Sequence, residues 1–282
     1  MARNAEATIP ALRHRVKRQA RARKTWHRRG SERVRADCYN ERTNSVKAEP
    51  HMTATTHTRT LRVRRLGRME YGAALKLQKE TELAVRDGAQ QPDTLLLVEH
   101  PHVLTLGRRA SASALLAAPE ELASRGITVC ETNRGGKITY HGDGQLIGYP
   151  VIKLSPDRED VHRYVRDLEE VLIRALADFH IDSFPIKGLT GVHTERGKVA
   201  AIGVHIARWV TTHGFALNVT TDLSYFDLIV ACEGEPITSM KEILGREISL
   251  GEVEDRIIER FAEVFGMRLE SVKSQSHEQC LH

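Results

Sequence analysis

Residues 190–219 read as consecutive antiparallel strands, with Arg196-Gly197 as a tight turn between two of them. A sheet built of such hairpins exposes an apolar face that another layer must cover. The cover is legible upstream. Over 157–179 the residues Val161, Tyr164, Val165, Leu168, Val171, Leu172, Ala175, Leu176 and Phe179 form one stripe at helical spacing. Ser155 suits the N-cap of that helix and Pro156 its first turn. Ser249-x-x-Glu252 is a capping box opening a last amphipathic helix through Val253, Ile257, Ile258, Phe261 and Phe265, ended by Gly266. A further helix is expected over 69–87, stopping at Gly88. Residues 94–99 read as a buried strand, Ile127 to Thr132 as a half-buried alternating one, and 144–154 as another. Hairpin strands with a few helices indicate an α+β domain rather than alternating α/β units.

The charge is confined to one end. Residues 1–50 hold 14 Lys+Arg and 5 Asp+Glu, against 28 and 32 in the rest, so the net +5 belongs to the arm. The folded part is mildly acidic, which argues against a nucleic-acid binder, since that surface needs basic residues where the fold is. Residues 1–57 are expected to be a disordered basic extension, 58–270 the catalytic domain and 271–282 a flexible tail. For the extension, three uses compete: a tail for nucleic acid or an acidic partner, a transit peptide, or an appendage upstream of a start at Met52. No apolar run approaches the roughly 20 residues of a membrane span. With no secretory signal either, the expected location is the cytosol, with no membrane partner. There the four cysteines, Cys38, Cys130, Cys232 and Cys280, are expected to be thiols, and none has zinc-ligand spacing, so neither metal nor cofactor is expected.

Three segments can do chemistry. Between Arg134 and Gln145 lie four glycines, with Arg134, Lys137 and His141 among them, and glycine lets backbone N–H groups approach a ligand closely. The competing reading is a pair of β-turns. The segment has neither Walker nor dinucleotide spacing. Lys198 follows the turn and leads into a strand of small and branched residues; most lysines so placed are solvated. Cys232 ends the apolar run Leu228-Ile-Val-Ala231 and precedes a Gly/Pro loop, where a strand-like element can leave its sulfur accessible. Cys130, inside an alternating strand, fits a packed small hydrophobe better.

Together these segments resemble the lipoyl(octanoyl) transferase family. The likeness rests on Leu96-Leu-Val-Glu-His100-Pro101…Thr105-Leu-Gly-Arg108, Arg134-Gly-Gly-x-x-Thr139-Tyr-His141-Gly-x-Gly-Gln145-Leu, Lys198-x-Ala-x-Ile-Gly203, His213-Gly-Phe-Ala216-Leu-Asn218, and Cys232 followed by Thr238-Ser239. The resemblance implies a mixed, largely antiparallel sheet flanked by helices, similar to the biotin and lipoate protein ligase catalytic domain. It implies Cys232 as the acyl-thioester nucleophile and Lys198 as its catalytic partner. It also implies a substrate pocket formed by Arg134, Gly135, Gly136, Lys137, Ile138, Thr139, Tyr140 and His141, by Ala201, Ile202 and Gly203, and by Gly214, Phe215 and Ala216. His141 is expected to orient its loop. The implied donor is octanoyl-acyl carrier protein. The implied acceptors are the lipoyl carrier domains of 2-oxoacid dehydrogenases and the glycine cleavage H protein. An ATP-dependent lipoate or biotin ligase, or a nucleic-acid binder acting through the arm, are the alternatives. Two positions depart from the family pattern. Asp143 stands where proline is usual and is expected to alter loop rigidity and charge; Glu233 replaces the usual glycine and is expected to raise the cysteine's pKa.

Overall fold

The run Leu95-Leu96-Leu97-Val98 is apolar on both faces because its strand lies in the middle of a sheet covered on both sides. Leu95 and Leu97 pack into one core, while Leu96 and Val98 pack into the other. The computed structural model describes residues 59–87, 92–230 and 235–270. The basic extension, the C-terminal tail, Gly88, Cys38, Cys232, Glu233 and Cys280 lie outside the described residues.

The strands, in chain order, are β1 (Thr60–Arg68), β2 (Asp93–Glu99), β3 (Val103–Leu106), β4 (Thr128–Glu131), β5 (Ile138–His141), β6 (Gln145–Val151), β7 (Phe184–Ile186), β8 (Leu189–Thr194), β9 (Gly197–Ala207), β10 (Val210–Asn218) and β11 (Arg268–Leu269). Eight of them form one sheet in the order β11-β1-β2-β6-β10-β9-β8-β7. Only the β1–β2 and β1–β11 pairings are parallel; the others are antiparallel, which is the mixed sheet expected. A second sheet, β4-β3-β5, stands apart over its own small core of Leu104, Ile138, Tyr140 and Leu228.

The helices are α1 (Tyr71–Asp87), α2 (Pro119–Ser124), α3 (Val161–Ala177), α4 (Met240–Leu244) and α5 (Leu250–Phe265). On one face of the large sheet α3 and α5 bury Leu168, Leu172, Ile257 and Phe261. Each such side chain stabilises the fold by about 1.5–3 kcal/mol. On the other face α1 lays Ala74 and Val85 against β2, β6 and β10. Among the described residues no helix is long and apolar enough to cross a membrane.

Four local expectations change. Helix α3 starts at Val161, not at Ser155-Pro156. Its cap is Asp160, whose carboxylate accepts the Arg163 N–H at 3.0 Å. Val161 is consequently exposed rather than part of the buried stripe. Ser249 does occupy the N-cap of α5 but makes no side-chain cap bond, whereas Gly266 closes the helix in the left-handed conformation as expected. The run at 228–230 is no strand: Leu223–Leu228 is a 3₁₀ segment, Ile229 makes one isolated bridge to Leu115, and Val230 is exposed. Strand β4 lies at the edge of the small sheet and is mostly exposed, so Cys130 is only half-buried.

Candidate active site

A cleft partly open to solvent lies where β6, β9 and β10 meet the glycine-rich loop and the start of α1. Its apolar wall comes from Ile147, Ile202, Phe215 and Ala216. The loop can lie on β9 because neither partner carries a side chain at the crossing. The Gly135 N–H donates to the Val204 carbonyl at 2.9 Å, and a Cβ on Gly203 would stand 2.9 Å from the Gly135 oxygen.

Of the pocket residues expected from the sequence, Arg134, Thr139, His141, Ala201, Ile202, Gly203, Gly214, Phe215 and Ala216 line this cleft. Gly135 and Gly136 form the backbone behind Arg134, and Lys137 is exposed. Ile138 and Tyr140 point away, and strand parity is the reason. Along β5, residues 139 and 141 face the cleft, so 138 and 140 face the small core. There Tyr140 stacks on Tyr225 at 4.9 Å, and His102 Nδ1 lies 2.7 Å from its hydroxyl. Asp143 is a surface residue paired with Arg68 at 2.9 Å.

Arg134 is buried by its own bonds: Nη2 donates to the Thr105 carbonyl at 2.6 Å and to Thr105 Oγ1 at 2.8 Å. Its charge therefore sits fixed beside the cleft. Sequence reasoning missed four lining residues, Tyr71, Ile147, Tyr149 and His213. His100 joins the floor beneath them, with Nδ1 2.7 Å from the Met69 carbonyl and Nε2 2.8 Å from the Tyr149 hydroxyl. Burial pushes Tyr71 up to about 12 and Tyr149 well above its ordinary value. Burial likewise lowers His100. Burial, helped by the Arg134 charge, drives His213 down to about 4. His141 falls to about 3, chiefly through burial and then through His100 nearby.

All three histidines are thus neutral at neutral pH, and a stability prediction follows. Unfolded histidine takes up a proton near ~6.5 while these folded ones resist it, so the stabilisation is complete above ~6.5 and lost as pH falls toward about 4 and about 3. Thermal melts between about pH 7 and about pH 4.5 are expected to show the loss, with a slope of about 1.4 kcal/mol per pH unit for each such histidine. A flat profile would contradict it.

His141 also begins a buried chain of hydrogen bonds. Its Nδ1 lies 2.8 Å from Gln145 Oε1, Gln145 Nε2 donates to Asn218 Oδ1 at 2.8 Å, and Asn218 Nδ2 donates to the Thr238 carbonyl at 3.0 Å. Thr238 N–H in turn donates to the Lys198 carbonyl at 3.0 Å, and Lys198 N–H to the Pro236 carbonyl at 2.8 Å. The segment after Cys232 is thereby laid alongside the start of β9. Gly197 makes the contact possible: its φ is +131°, and any Cβ there would strike the Pro236 carbonyl.

Lys198 does not line the cleft; it is the second residue of β9, buried rather than solvated. Its Nζ lies 3.0 Å from Glu235 Oε2, both side chains 9% exposed. His193 Nε2 lies 3.4 Å from the same oxygen. Burial alone would push the Glu235 carboxyl up, but the His193 and Lys198 bonds and the Lys198 charge outweigh it and hold the carboxyl below its usual range. Neither Glu235 nor His193 was singled out from sequence. Among the described residues no group of three or more His, Cys, Asp or Glu could hold a metal ion.

The sequence matches the lipoyl protein ligase A/B catalytic domain over residues 70–262. It is 49% identical over 208 residues to the octanoyltransferase of Solibacter usitatus, covering 73% of this chain and 94% of that one. To the octanoyltransferase of Chloroflexus aurantiacus it is 48% identical over 214 residues, covering 74% and 96%. The Myxococcus xanthus octanoyltransferase, 48% identical over 214 residues, is matched over 60% of its length and 73% of this chain. Among solved structures, a bipartite lipoate protein ligase from Thermoplasma acidophilum superposes with a TM-score of 0.61 at 15% identity, covering 76% of this chain and 86% of that one. Lipoate-protein ligase A bound with ATP gives 0.57 at 17% identity, covering 77% and 90%. At such identities these structures speak for the fold alone, and the fold is the one expected. Identity near one residue in two over most of an octanoyltransferase's length goes further: the chain belongs to the lipoyl protein ligase A/B catalytic domain family, among its octanoyltransferases, and is an acyltransferase.

Proposed function

We propose that this enzyme, with residues 58–270 as its catalytic domain, carries an octanoyl group from octanoyl-acyl carrier protein to a lysine of a lipoyl carrier domain. The acceptors are the lipoyl domains of 2-oxoacid dehydrogenases and the glycine cleavage H protein. The group passes through a thioester on Cys232, with Lys198 handling the proton. The observation that carries this reading is the pairing of residues 236–238 with Lys198, because only four positions of sequence separate Cys232 from Pro236. A buried lysine beside the segment that follows the cysteine is what a thiolate nucleophile needs, since free cysteine titrates near ~8.5 and a neighbouring ammonium favours its ionised form.

In the first half-reaction the Cys232 sulfur attacks the donor's carbonyl carbon, the donor carbon–sulfur bond breaks, and the carrier thiolate leaves and takes the proton of the Lys198 ammonium, which becomes a neutral amine. In the second, a neutral acceptor lysine attacks the acyl-cysteine, the Cys232 thiolate leaves, and the proton shed by the new amide nitrogen goes to Lys198. The apolar wall of the cleft receives the acyl chain, and the backbone of the glycine-rich loop faces the oxyanion. A thioester is already activated, so neither ATP nor a cofactor enters. Transfer from octanoyl-acyl carrier protein to an apo lipoyl domain is therefore expected to proceed without nucleotide. A requirement for ATP and free octanoate would identify a ligase instead.

A further inference from the structure

Glu235 stands where the proposed mechanism assigns nothing, and it is not among the residues that carry the family resemblance. Its carboxylate is buried, and one oxygen, Oε2, takes both the Lys198 ammonium at 3.0 Å and His193 Nε2 at 3.4 Å. A buried ammonium is costly unless an anion meets it, so this carboxylate pairs with Lys198 and fixes where its nitrogen stands. The backbone reinforces the placement. Pro236 and Thr238, which follow Glu235 in the chain, are hydrogen-bonded to both sides of Lys198, so the two side chains leave backbone segments already held together.

We infer that Glu235 is a positioning residue that acts through Lys198, raising its strength as a base for the second half-reaction; the inference rests on the function proposed above. The two halves of the reaction ask opposite things of a carboxylate at this place. While the Cys232 thiolate forms, a second negative charge nearby gives no help. When Lys198 must take the proton from the acceptor amine, the same charge stabilises the ammonium being formed. His193, fully buried on β8, holds the carboxylate from the other side and keeps it aimed at Lys198. Loss of the charge should therefore divide the reaction unequally, whereas a merely structural residue would slow both halves alike.

The test is single-turnover kinetics on the full-length enzyme and Glu235→Gln, with octanoyl-acyl carrier protein as donor and an apo lipoyl domain as acceptor. In the variant, acylation of Cys232 is expected within about threefold of wild type. Transfer onward should fall about 10- to 100-fold, so that acyl-enzyme accumulates during turnover. Unchanged rates in both halves, or equal slowing of both, would overturn the inference while leaving the proposed function intact. Wild-type enzyme that forms no acyl adduct would remove the proposed function itself, and the inference with it. If Glu235→Gln does not fold, Glu235→Asp, which keeps the charge but withdraws it by one methylene, carries the test. A slowed second half with an intact first supports the positioning role, and wild-type rates in both overturn it.

Discussion

Cys232→Ala is expected to abolish octanoyl transfer, with kcat down by about 10⁴–10⁶-fold, because removing a nucleophile forfeits the covalent route rather than weakening it. The readout is mass spectrometry of the lipoyl domain after incubation with octanoyl-acyl carrier protein. The control is Cys130→Ala. Cys130 is the free cysteine among the described residues, half-buried on an edge strand close enough to Tyr71 to influence its ionisation, so it is the natural rival. Its replacement should leave transfer within a few-fold of wild type. Transfer that survives Cys232→Ala and fails in Cys130→Ala would move the chemistry to the other sulfur.

Lys198→Ala carries the second large effect, in two measurements at once. Turnover should fall about 10²–10⁴-fold as the proton acceptor is lost. Stability should fall as well, because the substitution leaves the buried Glu235 carboxylate without its ammonium. Removing one partner of a buried pair costs about 3–5 kcal/mol, which a domain of about 5–15 kcal/mol survives at room temperature. Adding Glu235→Gln to Lys198→Ala should return part of the melting temperature and none of the turnover, since it removes the orphaned charge without restoring a base. A single Lys198→Ala variant with normal transfer would rule out the lysine's role.

What could be read in the chain beforehand follows from how local each signal is. The continuous run at 95–98 announces a strand buried on both faces, and the stripe through Leu168, Leu172 and Leu176 announces a helix, because both patterns are complete within one element. The start of α3 is ambiguous in sequence because Ser155 and Asp160 are both good caps; the structure caps the helix with Asp160. The glycine-rich loop was legible as a block but not by residue. Once 138–141 is known to be a strand, alternation alone separates Thr139 and His141 from Ile138 and Tyr140. Tyr71, Tyr149 and His213 reach the cleft from α1, β6 and β10, a convergence that no spacing records. Glu235 and His193 lie 42 positions apart and meet directly, at the carboxylate oxygen that also takes Lys198. Their pairing depends on an isolated bridge between Lys198 and Ile237 that sequence does not spell out.

Of the two departures from the family pattern, the structure describes Asp143. Asp143 proves to be an exposed partner of Arg68, so its charge is answered at the surface. Glu233 lies outside the described residues; Glu235, two positions further on, is a described acid that reaches the lysine.

The most direct test of the thioester account is peptide-level mass spectrometry of the enzyme mixed with octanoyl-acyl carrier protein and no acceptor. An octanoyl group on Cys232, released when apo lipoyl domain is added, is the predicted result. An active enzyme that carries no such adduct, or carries it on Cys130, contradicts it.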